Sequence, residues 1–212
     1  MRRFFIIFAA AIITINATAE EITDTRLFEL KGKVKSVVLY YPLDCSKDGI
    51  QSANNEPSMK MALYFDNNGW LKKANNENNV AFEIVRNPTG KITHLEIDCE
   101  NSDGTRNENG VSYFYKWNTS GYPISVSCDN CIYNCVSSII YDKSRNVIAT
   151  ITNCSNMHGA TQEVDSYNII QVDEHLNWIK RVRVVNTKYT DDIEPNSNIF
   201  FLLEKRKIDY YE

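Results

Sequence analysis

The stretch IIYDKSRNVI (139–148) shows the pattern that decides the fold: an apolar run ends in Asp or Asn, a few turn residues follow, and an apolar run resumes. The pattern recurs in LYFDNNGWL (63–71), IVRNPTGKI (84–92), YKWNTSGYPI (115–124) and IQVDEHLNWI (170–179). Each copy is typical of a β-hairpin, because Asp, Asn and Gly favour tight turns and the flanking residues suit strands. The five copies predict an all-β protein.

Between the turns, apolar and polar residues alternate with the period of two that indicates β-strands. Because strands joined by tight turns pair as antiparallel neighbours, we expect an up-and-down meander whose long sheet is twisted or curled. Leu27, Phe28 and the last strand are expected to cover an edge. We predict about 12 strands, at 33–41, 58–66, 70–74, 80–86, 91–98, 111–117, 122–128, 135–141, 147–153, 164–172, 178–186 and 198–210, the last broken near Lys205.

The connections between these strands alternate in length, which predicts two different rims. One rim carries the tight turns at 66–69, 87–90, 118–121, 142–146 and 173–177. The other carries mostly longer connections, at 42–57, 75–79, 99–110, 129–134, 154–163 and 187–197. Loops held by a rigid sheet are common recognition sites, so this loop rim is the predicted binding surface.

Residues 1–19 are typical of a cleaved signal peptide, with Arg2 and Arg3 before an apolar run and a small-residue cleavage site at Ala17-Thr18-Ala19. The apolar run is too short to predict a membrane span. We therefore expect a single hairpin-repeat domain over 20–212, exported to the periplasm or secreted rather than cytoplasmic. The excess of 27 acidic over 23 basic residues argues against a nucleic-acid partner.

All six cysteines fall within the predicted mature chain and at the predicted loop rim. An even number of cysteines in an exported protein predicts disulfides, with many pairings possible. Zinc binding at Cys128, Cys131 and Cys135, or a redox-active CxxC pair, are alternatives, but a second CxxC motif and a helix that would lower a thiol pKa are both lacking. The disulfide candidates are Cys45, Cys99, Cys128, Cys131, Cys135 and Cys154.

No catalytic, cofactor-binding or metal-binding residue can be assigned from the sequence. His94, His158 and His175 belong to no catalytic motif, and the carboxylate pairs at 98/100, 173/174 and 191/192 are interpreted as turn or surface residues. Trp70, Trp117 and Trp178 recur beside the turns and are expected to pack between hairpins.

The turn copies, especially IIYDKSRNVI and IQVDEHLNWI, resemble degenerate YD (RHS-type) hairpin repeats. LKGKVKSV (30–37) and RKIDYY (206–211) resemble the ends of small exported bacterial proteins that carry such hairpins. Arg145 and Leu176 replace the usual Gly of the repeat. In four copies the leading Tyr is replaced, by Phe65, Arg86, Trp117 and Val172. The resemblance implies a β-sheet scaffold for a family of unknown function and does not imply an activity.

These features predict a non-enzymatic binding or interaction module that recognises a protein or glycan through its loop rim. A metal-binding protein or enzyme that uses the cysteines is the first alternative. A structural subunit that assembles through exposed sheet edges is the second.

Overall fold

A computed structural model describes residues 23–50, 56–97, 110–130, 134–143, 145–156, 159–189 and 197–212. The predicted signal peptide, Cys99, Cys131 and His158 lie outside these ranges. The regular elements are a 3₁₀ helix, Asp24–Phe28, and the strands β1 Val34–Tyr40, β2 Leu43–Asp44, β3 Met59–Phe65, β4 Leu71–Asn76, β5 Glu83–Arg86, β6 Ile92–Ile97, β7 Val111–Trp117, β8 Pro123–Asn130, β9 Asn134–Tyr141, β10 Val147–Asn156, β11 Gly159–Val172, β12 Trp178–Tyr189 and β13 Ser197–Tyr210. The predicted all-β class is confirmed.

Twelve of the strands form one antiparallel sheet in the order β4-β3-β1-β13-β12-β11-β10-β9-β8-β7-β6-β5. The two outermost strands, β4 and β5, are consecutive in the chain and approach each other at an Asn75–Ala81 bridge. The sheet is therefore nearly closed and barrel-like, and the predicted up-and-down meander is confirmed. The short β2, which the sequence pattern did not predict, pairs with β13 at Leu43 and Asp44.

The last strand is not broken near Lys205 and does not cover an edge. β13 runs from Ser197 to Tyr210 and pairs with β12 along one side and with β1 and β2 along the other. It therefore lies inside the sheet, where it joins β1 to the hairpin of β11 and β12.

All five repeated turns share one hydrogen-bond pattern. The amide of the fourth residue donates to the carbonyl of the first, and the amide of the fifth donates to the side-chain Oδ1 of the first, as from Trp70 to Asp66 and from Asn177 to Asp173. The fourth residue has a positive φ in every copy. An additional turn of this type, which begins at Asn76 and has Asn79 in the positive-φ position, joins β4 to β5.

The main apolar core lies on the inner face of one half of the sheet, across β1 and β3 to β7. Its fully buried members include Val37, Leu63, Leu71 and Leu95. The inner face of the other half carries fewer apolar residues and more charged and aromatic ones. Burial is therefore uneven, and the polar half is where a cavity forms.

Residues 23–31 cross the tight-turn end of the barrel-like sheet, and we call them the plug. They contain the 3₁₀ helix and end with Leu30 and Lys31. Leu27 and Phe28 pack against the apolar core, and the Phe28 ring meets Phe65 edge-on at 5.9 Å between centroids. These two residues therefore close an end of the sheet, whereas the sequence pattern predicted that they cover an edge.

Candidate functional site

A buried ion pair holds the first end of the plug. Asp24, which is 1% exposed, accepts hydrogen bonds from Arg86 Nη2 at 2.7 Å and Arg86 Nη1 at 3.2 Å, and from the backbone amide of Leu71 at 2.7 Å. The same guanidinium donates to the carbonyls of Gly90 and Leu71. Among the five turn copies, this position holds a guanidinium only at Arg86, where it binds the plug.

Arg206 holds the other end of the 3₁₀ helix through backbone carbonyls. It is 4% exposed, and its guanidinium donates to the carbonyl oxygens of Phe28, Glu29 and Trp178. Its Cζ lies 3.8 Å from the centre of the Trp178 ring. Burial lowers the pKa of Arg206 to about 10, and the nearby charge of Glu29 opposes this shift. The last strand is thereby fastened to the plug.

Two further contacts fasten the plug to β12 and its turn. Arg181 donates to Glu29 at 2.8 Å and to Glu204 at 2.6 Å. The side-chain amide of Asn177 accepts from the Lys31 amide at 2.7 Å and donates to the Lys31 carbonyl at 2.9 Å. The side chain of Asn177 thus forms two hydrogen bonds with the backbone of Lys31, as a paired residue of a neighbouring strand would.

Between the plug and the polar half of the sheet lies a cavity of about 320 Å³, which we call the rim cavity. It lies at the tight-turn end, opposite the predicted loop rim. Its wall consists of plug residues, turn residues and the inner faces of β9 to β12. The lining residues are Arg26, Glu29, Leu30, Lys31, Tyr122, Tyr141, Arg145, Asn146, Val147, Tyr167, Ile169, Leu176, Trp178 and Arg181.

Aromatic rings and guanidinium groups are interleaved in this wall. Arg26 and Arg145 each place Cζ 4.9 Å from the centre of the Tyr122 ring, and Arg145 Nη1 donates to the Tyr122 hydroxyl at 3.0 Å. Arg181 lies between Tyr167 and Trp178, with Cζ 4.0 and 3.9 Å from the two ring centres. Such contacts orient the cations and keep the aromatic faces apart.

The wall carries four cationic side chains, Arg26, Lys31, Arg145 and Arg181, against the single carboxylate of Glu29. Arg181 is neutralised by Glu29 and Glu204, so its charge is already used within the protein. Among the described residues, neither Arg145 nor Lys31 has a carboxylate partner within 4.0 Å. The cavity mouth is therefore positively charged, which favours an anion.

Two hydroxyl groups of the wall, those of Tyr141 and Tyr167, are held in their neutral form. Tyr141 donates to the Pro123 carbonyl at 2.7 Å, and its ring meets Tyr122 edge-on at 5.7 Å between centroids. Burial raises the pKa of both Tyr141 and Tyr167 above the ordinary value for tyrosine. The cavity therefore offers aromatic surface without adding negative charge.

Two of the five repeated turns carry backbone strain, and both border the rim cavity. The fourth turn position holds Gly69, Gly90 and Gly121 in three copies, with φ of 78 to 82°. It holds Arg145 and Leu176 in the other two, with φ of 65 and 61°. A side chain in this left-handed region costs about 1–2 kcal/mol. Only the two strained residues of this set line the cavity.

The described cysteines separate into a row and an isolated thiol. Cys135 and Cys154 form a disulfide between β9 and β10, and Cys128 lies directly opposite Cys135 on β8 with a free thiol. Cys45 is also free, and it packs against Val182 and Leu203 rather than at the loop rim. Two of the six disulfide candidates are thus bonded to each other, and whether Cys99 and Cys131, which lie outside the described residues, form disulfides stays a prediction.

The remaining candidates from the sequence do not converge on one site. His94 stacks on Phe114, and His175 stacks on Tyr210 at the turn end. Asp173 accepts from the Tyr210 hydroxyl and from its own turn, as interpreted from the pattern. In the described ranges no three His, Cys, Asp or Glu side chains are grouped as metal ligands. The same residues include no helix with the length and hydropathy that crossing a membrane requires.

The tryptophans pack between elements as expected. Trp117 donates from its indole nitrogen to the Ile92 carbonyl at 2.7 Å, and Trp70 lies beside the Arg86 guanidinium. Trp178 is almost fully buried between Arg181 and Arg206. The sequence did not predict that this last tryptophan forms part of a cavity wall.

Sequence reasoning missed the rim cavity, although one signal pointed to it. Arg145 and Leu176 were recognised as departures from the repeat, and both lie in the cavity wall. The plug residues and the wall tyrosines, one in a turn and two in different strands, carry no shared motif. In comparisons with known proteins, the chain matches no family model and no curated protein.

Proposed function

We propose that this chain is an exported, non-enzymatic binding module of the YD-type hairpin class, and that its rim cavity binds a small anionic ligand that carries a ring. The export assignment rests on the signal-peptide pattern at residues 1–19, and the class rests on the turn copies. A rigid, nearly closed sheet with an end cavity is a common support for small-ligand binding.

The observation that carries the proposal is the placement of the two strained turn residues. Gly would fill the fourth position of each turn without strain, as it does in three copies. Arg145 and Leu176 keep a costly conformation at the two positions where their side chains reach the cavity. Strain of this kind is concentrated at binding sites, where the side chain has a use that offsets its cost.

The ligand class follows from the composition of the wall. Arg145 and Lys31 supply positive charge at the mouth, and the rings of Tyr141 and Tyr167 supply apolar surface. A carboxylate bound to Arg and a ring packed on Tyr together satisfy both features. The volume of about 320 Å³ lies near the lower end of small-ligand sites, so one or two rings fit. Acidic sugars and aromatic acids share this chemistry.

The test uses two charged probes, each with a neutral partner: glucuronate with glucose, and benzoate with benzamide. Binding to the full mature chain is measured by saturation-transfer NMR and by the shift of the thermal midpoint. We expect a charged probe to bind and its neutral partner to bind at least about tenfold more weakly, because a charged hydrogen bond contributes about 1.5–3 kcal/mol. Selective binding of glucuronate would identify the ring as a sugar, and selective binding of benzoate would identify it as an aromatic ring.

Arg145→Gly is the informative variant, since it removes the cation and restores the unstrained turn. We expect it to weaken binding of the charged probe by about tenfold or more without loss of fold. Leu176→Gly is the comparison, because it relieves the same backbone strain and removes apolar wall without changing charge, so it should weaken charged and neutral probes alike. Equal binding of charged and neutral probes, or full binding by Arg145→Gly, would contradict the proposal.

A protein or glycan contact at the loop rim remains part of the proposed function, because polar loops on a rigid sheet suit recognition. Much of that rim, including 99–110, lies outside the described residues. Deleting 99–110 should abolish partner binding and leave probe binding at the rim cavity intact. A partner that still binds the deletion variant would remove the loop rim from the proposal.

A further inference from the structure

Three cysteines occupy one row across adjacent strands. Cys128 on β8 pairs with Cys135 on β9, and Cys135 pairs on its other side with Cys154 on β10. Residues directly opposite each other in a sheet point to the same face, and neighbouring strands lie about 4.8 Å apart. The row therefore places a free thiol on one side of Cys135 and its disulfide partner on the other.

This order matches the arrangement that thiol–disulfide exchange requires. In such exchange a thiolate attacks one sulfur of a disulfide and the other sulfur leaves. Cys128 approaches Cys135 from the side opposite Cys154, so attacking, central and leaving residues follow one line across the sheet. Both pairs also have Cα atoms within the reach of a disulfide, which extends to about 6.8 Å. The Cα atoms of Cys135 and Cys154 are 4.1 Å apart. So short a distance is typical of a pair without backbone hydrogen bonds between its two residues. Cys135 then makes its backbone hydrogen bonds with Cys128 on the other side, and the Cα atoms of such a pair are about 5.5 Å apart.

We propose that Cys128, Cys135 and Cys154 form a thiol–disulfide exchange site with two disulfide isomers. The Cys128 thiolate forms a bond to Cys135 Sγ, the bond between Cys135 and Cys154 breaks, and Cys154 leaves as a thiolate. Cys154 then takes up a proton equivalent to the one that Cys128 released. The step needs no oxidant or reductant, because one disulfide and one thiol are present before and after it.

Exchange changes which hairpin is cross-linked. In the form observed, the bond joins β9 to β10. In the other isomer it joins β8 to β9, and the free thiol moves to β10, beside the pairing of Cys154 with Thr161 on β11. The two isomers therefore expose different thiols to a partner on the loop rim, although the order of strands is unchanged.

The surroundings of Cys128 make the step slow at neutral pH. Burial raises the pKa of Cys128, Asp129 adds to this effect, and Lys60 opposes it. Tyr113, directly opposite on β7, and Tyr115 also face the thiol and are neutral, since burial raises their pKa values. Because only the thiolate attacks, exchange should accelerate as pH rises toward the pKa of Cys128.

The first experiment follows the isomers in the full oxidised chain. Samples held at neutral and alkaline pH are quenched with acid, alkylated and mapped as unreduced peptides. We expect alkylation of Cys128 at the start and growing alkylation of Cys154 with time, faster at alkaline pH. Alkylation confined to Cys128 after prolonged alkaline incubation would overturn the proposal.

The variants Cys154→Ser and Cys128→Ser supply a second readout. With dissolved oxygen as the oxidant, Cys154→Ser should form the Cys128–Cys135 disulfide, and Cys128→Ser should form only Cys135–Cys154. Cys45→Ser, which removes a thiol packed on Val182 and Leu203, is the matched control and should leave the isomers of the row unchanged. A free Cys135 in folded Cys154→Ser, or Cys128 bonded to Cys45, Cys99 or Cys131, would overturn the proposal. Circular dichroism establishes that each variant is folded.

Discussion

Asp24 and Arg86 form a two-pronged ion pair, with 2.7 Å between Oδ2 and Nη2, that joins the plug to the hairpin of β5 and β6. The carboxylate is almost fully buried and also accepts from the Leu71 amide. We expect Asp24→Ala to lower the free energy of unfolding by about 3–5 kcal/mol, since it leaves a partly buried guanidinium and a backbone amide without their partner. Urea unfolding measures the change.

The exposed pair of Lys72 and Asp66, at 3.8 Å, is the control for that prediction. Lys72→Ala should cost less than about 1 kcal/mol, because surface ion pairs contribute little. Equal losses for the two variants would show that the plug pair is no more important than a surface contact.

The strained turns predict a stabilising substitution. Leu176 is 66% exposed and has a φ of 61°, so Leu176→Gly loses little packing and relieves the backbone. We expect the free energy of unfolding to rise by about 1 kcal/mol. Arg145→Gly should gain less, because the contact with Tyr122 is lost with the strain.

Gly90→Ala is the reverse experiment in a turn of the same geometry. Gly90 has a φ of 82°, and a Cβ built there meets no atom within 4 Å. Its substitution should therefore cost about 1 kcal/mol from backbone strain alone. Thermal and chemical unfolding of the two variants should move in opposite directions, and shifts in the same direction would refute the strain argument.

The contacts of Arg206 predict that lysine cannot replace arginine at this position. Arg206→Lys keeps the charge but cannot reach the carbonyls of Phe28, Glu29 and Trp178 together. We expect a loss of more than about 2 kcal/mol in stability and faster amide hydrogen exchange across the plug. Lys207→Arg, at the exposed neighbouring position, should change neither quantity, and unchanged plug protection in Arg206→Lys would contradict the role assigned to it.

Asp165 predicts how stability depends on pH. It is 4% exposed, and burial raises its pKa above the ordinary value despite the opposing effects of Arg183 and Thr150. The folded protein therefore holds this proton more tightly than the unfolded chain does. The resulting stabilisation is complete below the unfolded pKa of about 4 and is lost as pH rises through the raised folded value.

Asp165→Asn removes this titration. The free energy of unfolding of the wild type should fall relative to that of the variant as pH rises from about 4 toward neutrality. Urea unfolding across this range measures the difference. Parallel curves for the two proteins would show that Asp165 titrates alike in the folded and unfolded states.

The hairpins could be predicted from sequence because their determinants are local. Asp66 and its equivalents bond the amides of their own turns, and the alternating strands follow directly. The connection at 75–79 was predicted, but it was not recognised as a turn of the repeated type because Asn79 replaces Gly and no clear apolar run surrounds it. β2 was missed because a strand of two residues is too short to show the alternation of apolar and polar residues.

The plug and the rim cavity could not be predicted because they depend on contacts between distant parts of the chain. In the sequence, Arg86 is only an irregular residue of one turn copy, and Arg206 is only a charged residue of a strand. The structure shows that Arg86 contacts Asp24 and that Arg206 contacts Phe28 and Glu29. Closure of the sheet brings these groups together, and no spacing within the sequence records it.

Pairing of β1 with β13 also has a consequence for the order of folding. Val37 finds its partner Ile208 only after nearly the whole chain is available, whereas each hairpin can form from neighbouring residues. Such distant pairing carries a large loop-closure entropy and makes folding slow. Hairpins should therefore appear first and the seam between β1 and β13 last, so a chain stalled before its final strand would expose β1 as an unpaired edge open to aggregation.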